Sequence, residues 1–139
     1  MTRDANSIES RNKQIIRSGF DKWVAGTGGL FDILTDDAKW TIVGNSPMSR
    51  TYNSKKEFID EVITPFGARM SKRFVPTVRA LYADGDMVIA FFDGKPYQNT
   101  YTWYMRMKDE KIIDVVAFFD TIEFTDFWTR VAPARSAAQ

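Results

Sequence analysis

The hydrophobic period of this chain changes once along its length, and that change restricts the fold more than any other feature. Apolar residues recur at three- and four-residue spacing over 7–25 and again over 54–70, which predicts two amphipathic helices. From residue 72 onward apolar and polar residues mostly alternate, and turn sequences divide this region into strands over 73–83, 87–92, 97–108 and 111–121. Helices followed by a strand meander predict an α+β fold, in which the helices pack on one face of a curved antiparallel sheet.

Shorter signals predict where elements begin and end. Ser7 and Ser54 are predicted N-caps, and Glu57 completes a capping box with Ser54. Pro65 is expected to kink or end the second helix, since proline lacks the backbone N–H donor. The other predicted elements are a short helix at 30–34, a strand at 38–43, a tight turn at Asp93-Gly94 and a helical turn or two around 124–131.

The absence of two residue types excludes many kinds of site. The 139 residues include no histidine and no cysteine, so the chain has no Ser-His-Asp or Cys-His catalytic group, no disulfide, and no imidazole or thiolate ligand for zinc, iron or haem. Neither a metal nor another cofactor is expected. Any acid–base chemistry must come from carboxylates, lysines or tyrosines.

Charge and hydropathy indicate the class of protein. The 19 Lys and Arg residues against 18 Asp and Glu give a net charge of +1, which favours neither nucleic acid nor a membrane as a partner. The basic clusters at 55–56 and 69–73 are expected to be solvated. The polar start and the lack of an 18-residue apolar run predict a cytoplasmic protein. We expect a single domain over 1–139, with its core at about 7–131 and a frayed tail at 132–139.

Six stretches between residues 7 and 122 form an ordered set: 20–26, 34–40, 83–86, 94–101, 111–113 and 118–121. Their order and spacing resemble those of SnoaL-like proteins in the nuclear transport factor 2-like (ketosteroid isomerase-like) superfamily. The resemblance implies a cone in which a strongly bent sheet wraps the helices and leaves a deep apolar pocket. The superfamily includes isomerases, cyclases, dehydratases, epoxide hydrolases and non-catalytic modules, so this fold does not name a function.

The best-known catalytic patterns of that superfamily are not retained here. By the resemblance, the general base of the steroid isomerases corresponds to Ile42 in this chain. Their two oxyanion donors correspond to Gly19 and Trp103. The dehydratase pattern requires histidines, which this chain lacks. The epoxide hydrolase pattern requires an arginine and an aspartate two residues apart on one strand, and a second aspartate on the last strand. Here the residue two positions from Arg106 is Lys108, and only Asp120 approximately matches a residue of the pattern.

Asp120 and Tyr101 are the candidate catalytic residues. Asp120 ends the last strand beside an apolar stretch that includes Phe118 and Phe119, a setting suited to proton transfer by a carboxylic acid. The alternative is that Asp120 faces solvent or caps the following helical turn. Tyr101 alternates with Asn99 and Trp103 on one face of the long strand, a composition typical of a site for a small, mostly apolar molecule.

The predicted ligand-binding residues combine this strand face with the interior that the resemblance implies. They are Phe20, Trp23, Trp40, Ile42, Phe58, Asn99, Tyr101, Trp103, Ala117 and Phe119. The alternative for the aromatic members is an ordinary hydrophobic core.

Two functions remain open from the sequence. One is an isomerase, cyclase, dehydratase or hydrolase that acts on a small hydrophobic molecule through a carboxylate or tyrosine. The other is a non-catalytic ligand-binding or dimeric assembly module. A carboxylate inside an enclosed pocket would favour the enzyme, whereas an interior holding only aromatic residues, Asn99 and Tyr101 would favour binding. A homodimer is expected. The resemblance implies the outer sheet face as a common dimer surface, and the sequence itself leaves open which face forms the dimer. Phe124, Phe127 and Trp128 are expected to contact the domain or a partner.

Overall fold

A computed structural model of the chain describes the backbone of residues 2–132 and the side chains of residues 8–132. The predicted tail therefore lies, from residue 133 on, outside the described residues. The helical elements are α1 (Thr2–Ala25), a 3₁₀ turn (Leu30–Ile33), α2 (Lys55–Phe58), a π-helical turn (Ile59–Ile63), α3 (Thr64–Ala68) and α4 (Thr121–Arg130). The strands are β1 (Leu34–Ile42), β2 (Thr51–Tyr52), β3 (Val75–Asp84), β4 (Met87–Lys95), β5 (Asn99–Lys108) and β6 (Lys111–Phe119).

The six strands form one mixed sheet in the order β2-β1-β6-β5-β4-β3. Strands β3 to β6 are an antiparallel meander, which confirms the predicted α+β class. The prediction of a wholly antiparallel sheet is wrong at one pairing, because β1 runs parallel to β6. The whole helical segment and the meander separate these two strands along the chain. Alternation within a strand does not encode the direction of such a distant partner.

Helix α1 covers the concave face of the sheet near β3 and β4, and α2 covers it near β1. Register shifts between Val78 and Ala80 in β3 and between Arg106 and Met107 in β5 interrupt the ladders. Such bulges increase the local twist and bend of a sheet. The core between helices and sheet includes Ile16, Phe20, Leu30, Val88, Phe92, Met105 and Ile112, each at most 2% exposed.

Two predicted boundaries at the ends of α1 and β4 are wrong. Helix α1 begins at Thr2, so Ser7 lies inside it and is not the N-cap. Asp93 and Gly94 do not form a turn, because they pair within β4 with Thr100 and Asn99 of β5. The turn instead lies at 96–98. Gly94 is required for close packing, since a Cβ atom there would lie 2.0 Å from the ring of Phe74.

The segment from Ser54 to Ala68 begins as predicted and then departs from regular α-helix. The Ser54 hydroxyl accepts a hydrogen bond from the Glu57 N–H at 3.1 Å, which confirms the N-cap. The Glu57 carboxylate accepts from the N–H of Asn53 at 3.0 Å, one residue before the position that a capping box requires. A π-helical turn precedes Pro65 and leads into α3, so the proline interrupts the helix without ending it.

No helix in the described range 2–132 is long and apolar enough to cross a bilayer.

Candidate functional site

A cavity of about 240 Å³ lies between the concave face of the sheet and the helical segment 55–68. The sheet contributes Trp40, Ile42, Tyr101, Trp103, Ala117 and Phe119. The helical segment contributes Phe58, Val62, Ile63, Phe66 and Gly67, and the remaining lining residues are Trp23, Phe31, Arg73, Phe74 and Phe124. Eight of the ten predicted ligand-binding residues are among these, all except Phe20 and Asn99.

One row of paired residues explains why space remains at this point of the core. Ala117 of β6 pairs with Ile42 of β1 on one side and with Trp103 of β5 on the other. Residues directly opposite one another in neighbouring strands project from the same face of a sheet. The methyl group of Ala117 therefore stands between two large side chains, and its small size leaves room beneath the helical segment.

Aromatic contacts hold the walls of the cavity. Trp40 stacks on Phe58 with ring centroids 4.1 Å apart, and it meets Trp103 edge-on at 4.8 Å. Phe92 contacts Trp103 edge-on at 4.8 Å and stacks against Tyr101 at 5.0 Å. These five rings belong to four elements, β1, α2, β4 and β5, so their contacts fix the shape of the cavity across the elements.

Tyr101 brings a hydroxyl group to this apolar lining. Its side chain is 6% exposed, and the hydroxyl makes no hydrogen bond with the residues that the structure describes. Burial raises the pKa of the Tyr101 phenol well above its ordinary value, with the nearby Tyr97 as a smaller cause. Tyr101 is therefore a neutral hydrogen-bond donor at physiological pH.

Asn99 lies two residues away on β5 but its amide is fully used by the protein. The amide nitrogen donates to the Asp120 carbonyl at 3.0 Å and to the Tyr97 hydroxyl. The amide oxygen accepts from the backbone N–H of Thr100 at 2.8 Å and of Asp120 at 3.2 Å. Asn99 therefore ties β5 to the junction between β6 and α4, outside the cavity lining.

Asp120 is the N-cap of α4. Its carboxylate accepts from the N–H groups of Ile122 at 3.0 Å and Glu123 at 3.1 Å, and the residue is exposed. This geometry corresponds to the capping alternative. The cavity lining does not include Asp120. Capping places the carboxylate toward the start of the helix, where the unpaired N–H donors are.

Phe20 lies behind the cavity wall. It is 1% exposed, stacks on Trp23 at 5.9 Å and contacts Phe92 edge-on at 5.0 Å. Its role is to support Trp23 and the strand residues from the α1 side. Gly19 beside it has no room for a side chain, because a Cβ atom would lie 2.3 Å from Leu30.

The lining residues absent from the sequence-based set come from helices and connections. Val62, Ile63 and Phe66 belong to the apolar face of the predicted second helix, and that periodicity was the available signal. Phe124 packs onto the domain together with Phe127 and Tyr97. This is the first of the two alternatives for these residues, contact with the domain or contact with a partner. Arg73 and Phe74 precede β3 and carry no periodic signal.

Within the described side chains the cavity lining contains no Asp or Glu. Ile42 and Trp103 line it at two positions where the isomerase pattern would place acidic groups. Among the residues that the structure describes, no three acidic side chains lie close enough together to hold a metal ion. What this arrangement offers chemically is apolar contact surface and a phenolic donor.

No protein-family profile matches the sequence, and no curated protein sequence matches it. Solved structures do match. Bal32a, from a soil-derived mobile gene cassette, aligns with a TM-score of 0.73 over 87% of this chain and 98% of its own, at 17% identity. An NTF2-like protein from Burkholderia thailandensis aligns with a TM-score of 0.65 over 84% of this chain and 95% of its own, at 19% identity.

The chain has the nuclear transport factor 2-like fold. A protein from Jannaschia sp. described as a SnoaL-like polyketide cyclase shares it, with a TM-score of 0.67 over 88% of this chain and 94% of its own, at 15% identity. At such identities the NTF2-like likeness concerns the fold, and function must be argued from the residues of this chain.

Proposed function

We propose that this chain binds a small, largely apolar molecule in the cavity beneath α2 and α3, without a catalytic carboxylate of its own. The observation that carries the proposal is the lining, in which aromatic and aliphatic side chains surround the unpartnered hydroxyl of Tyr101. Such a lining favours binding over proton transfer, because a phenol with a raised pKa stays protonated at neutral pH and is a weaker acid than a free phenol.

The size of the cavity limits the ligand. Its 240 Å³ lies below the range of about 300–1,000 Å³ typical of sites for drug-sized molecules, so a mono- or bicyclic ligand fits best. Burying about 200 Å² of apolar ligand surface at about 25 cal/mol per Å² supplies roughly 5 kcal/mol. The translational and rotational freedom that the ligand loses on binding offsets part of this free energy.

Tyr101 supplies the polar contact in this proposal. The Tyr101 hydroxyl makes no hydrogen bond with the described residues, so it can donate one to a carbonyl or ether oxygen of a ligand. The raised pKa keeps the phenol protonated throughout the neutral range, so this donation does not depend on pH between about 6 and 9. The ligand class is therefore a compact apolar ring system with a hydrogen-bond acceptor.

Calorimetric titration with 2-acetylnaphthalene tests the proposal. The wild type should bind this ketone saturably, with the negative heat-capacity change that burial of apolar surface produces. The variant Ala117→Phe should fill the cavity and abolish binding. Val116→Phe is the matched control, because residue 116 is the neighbour of Ala117 and lies on the opposite face of β6.

Two results would contradict the proposal. One is the absence of saturable binding to the folded wild type. The other is equal binding by wild type and Ala117→Phe when both unfold cooperatively at similar temperatures.

We also propose that a second copy of this chain covers the outer sheet face. Thr102 pairs with Phe118 there and Tyr104 with Val116, while Tyr104 contacts Phe118 edge-on at 5.7 Å. Phe118 is 45% exposed, so an apolar surface is left open to solvent. Ion pairs flank it on both sides, Arg79 with Asp93 and Arg106 with Asp86. A two-fold related copy could match this apolar strip and its mixed-charge borders.

Sedimentation equilibrium tests the dimer. Tyr104→Lys should shift a dimeric wild type to monomer, whereas Ile122→Lys should not, because Ile122 is 82% exposed on α4 and is not part of the paired rows of β5 and β6. A monomeric wild type, or a Tyr104→Lys variant that stays dimeric, would refute it.

A further inference from the structure

Arg73 is the charged residue among the side chains that line the cavity. It is exposed, as is Gly67, whereas the lining residues Trp40, Trp103 and Ala117 are buried. Arg73 and Gly67 therefore mark the rim at which the cavity meets solvent. Trp23 and Phe74 stand beside them, joined by a hydrogen bond of 2.9 Å from the Trp23 indole N–H to the Phe74 carbonyl.

The guanidinium of Arg73 is held in place from one side. It donates to the backbone carbonyls of Trp23 and, at 3.0 Å, Val24, near the end of α1. These two bonds use two of the five N–H donors of the guanidinium. Gly26 follows these carbonyls with a φ of +79°, a conformation that favours glycine just after the end of a helix.

No carboxylate neutralises this cation among the described residues. Their ion pairs employ the arginines at 11, 50, 79, 106 and 130, and Arg73 is not among them. Arg69, four residues earlier, makes different contacts. Its guanidinium lies 3.8 Å from the ring centroid of Trp128, and it donates to the carbonyls of Pro65 and Trp128. Arg73 thus presents a positioned positive charge with donors to spare at the rim of an apolar cavity.

We infer that the natural ligand is an apolar monocarboxylate, whose ring system occupies the cavity and whose carboxylate is bound at the rim by Arg73. This inference rests on the proposed function and adds the class of the ligand. A planar guanidinium matches a carboxylate well, and a charge-assisted hydrogen bond is stronger than a neutral one. The rim also suits the anion, because the carboxylate stays in contact with water and avoids the cost of full burial.

The test compares two probes of nearly the same shape, 2-naphthoate and 2-naphthamide, which differ in charge. Calorimetry on the wild type at low salt should give at least about fivefold tighter binding of the carboxylate, a modest part of what a hydrogen bond to a charged group contributes. Arg73→Gln should remove this preference, so that the variant binds 2-naphthoate no more tightly than 2-naphthamide. Because the rim is exposed, the preference should shrink as salt is added.

Two further variants separate charge at Arg73 from its other effects. Lys72→Gln removes the same charge from the adjacent exposed residue, outside the lining, and should keep the full preference. Arg73→Lys keeps the positive charge but lacks the planar guanidinium group, so it should retain part of the preference for the carboxylate. If Arg73→Gln is destabilised by losing its bonds to α1, Arg73→Lys still provides the comparison.

The possible failures are distinguishable. If neither probe binds the wild type, the proposed function fails together with this inference. If both probes bind equally, or the carboxylate preference survives in Arg73→Gln, the inference about Arg73 is wrong and the proposed function stands. A preference that disappears in Tyr101→Phe and persists in Arg73→Gln would place the carboxylate at the inner hydroxyl and would also overturn the inference.

Discussion

Asn99 and Tyr101 lie two residues apart on the same face of β5, yet their polar groups have opposite surroundings. The Asn99 amide makes hydrogen bonds to Tyr97, Thr100 and Asp120, and it joins three elements. The Tyr101 hydroxyl has no such partner and lies in the lining of an apolar cavity. Both residues are equally well buried, at 5% and 6% exposure.

This difference indicates what each polar group does. A buried group whose hydrogen bonds are all made within the protein stabilises the fold, and removing it leaves its partners unsatisfied. A buried donor without a partner contributes nothing to the fold and remains available to a ligand. The corner around Asn99 is therefore assigned to stability, and the cavity around Tyr101 to binding.

Substitution of Asn99 should have the largest effect. Asn99→Leu keeps the branched shape of the side chain at Cγ but leaves the Asp120 backbone groups and the Tyr97 hydroxyl without their partner. We expect a loss of about 3 kcal/mol in the free energy of unfolding, because several buried polar groups lose their hydrogen bonds at once. Urea denaturation measures it. A loss below about 1 kcal/mol would mean that the hydrogen bonds of Asn99 do not stabilise the fold.

Asp120→Ala should have a smaller effect of the same kind. Removing an N-cap carboxylate costs about 1 kcal/mol, and here it removes the acceptor of the Ile122 and Glu123 N–H groups. The affinity for 2-acetylnaphthalene should not change. A variant with normal stability and weakened ligand binding would instead favour the sequence-based hypothesis that Asp120 acts at the site. Asp120→Asn is the control, since asparagine is also a good N-cap.

Tyr101→Phe should have the smallest effect on stability and a selective effect on binding. Stability should change by less than about 0.5 kcal/mol, because no hydrogen bond within the protein is lost. The affinity for 2-acetylnaphthalene should fall about fivefold, as expected for one neutral hydrogen bond. The affinity for 2-isopropylnaphthalene, which has no acceptor, should stay the same. An equal fall for both probes would indicate a change in cavity shape and not a lost hydrogen bond.

Much of the cavity wall follows from alternation along the strands. Alternation puts Tyr101 and Trp103 on one face of β5, the family resemblance places Trp40 and Ile42 of β1 on the same interior, and all four line the cavity. A period of two determines which side chains share a face of a strand. It does not determine which groups find hydrogen-bond partners, so Asn99 and Tyr101 were indistinguishable in the sequence.

Features that depend on distant contacts were not predictable. Asp93-Gly94 has the composition of a turn, but Gly94 serves the packing of Phe74 against β4. The parallel pairing of β1 with β6 joins segments about 70 residues apart. Arg73 lies in a basic cluster that was expected to be solvated, and only the folded chain brings it to the end of α1 and the cavity rim.

The most direct test of the central claim is a crystal structure of the wild type with 2-acetylnaphthalene. We predict that the naphthalene ring lies beside Ala117, packed against the rings of Trp40 and Trp103, with the ketone oxygen within about 3.2 Å of the Tyr101 hydroxyl. A ring bound on the outer sheet face, or a ring in the cavity with its ketone oxygen turned away from Tyr101, would contradict the account.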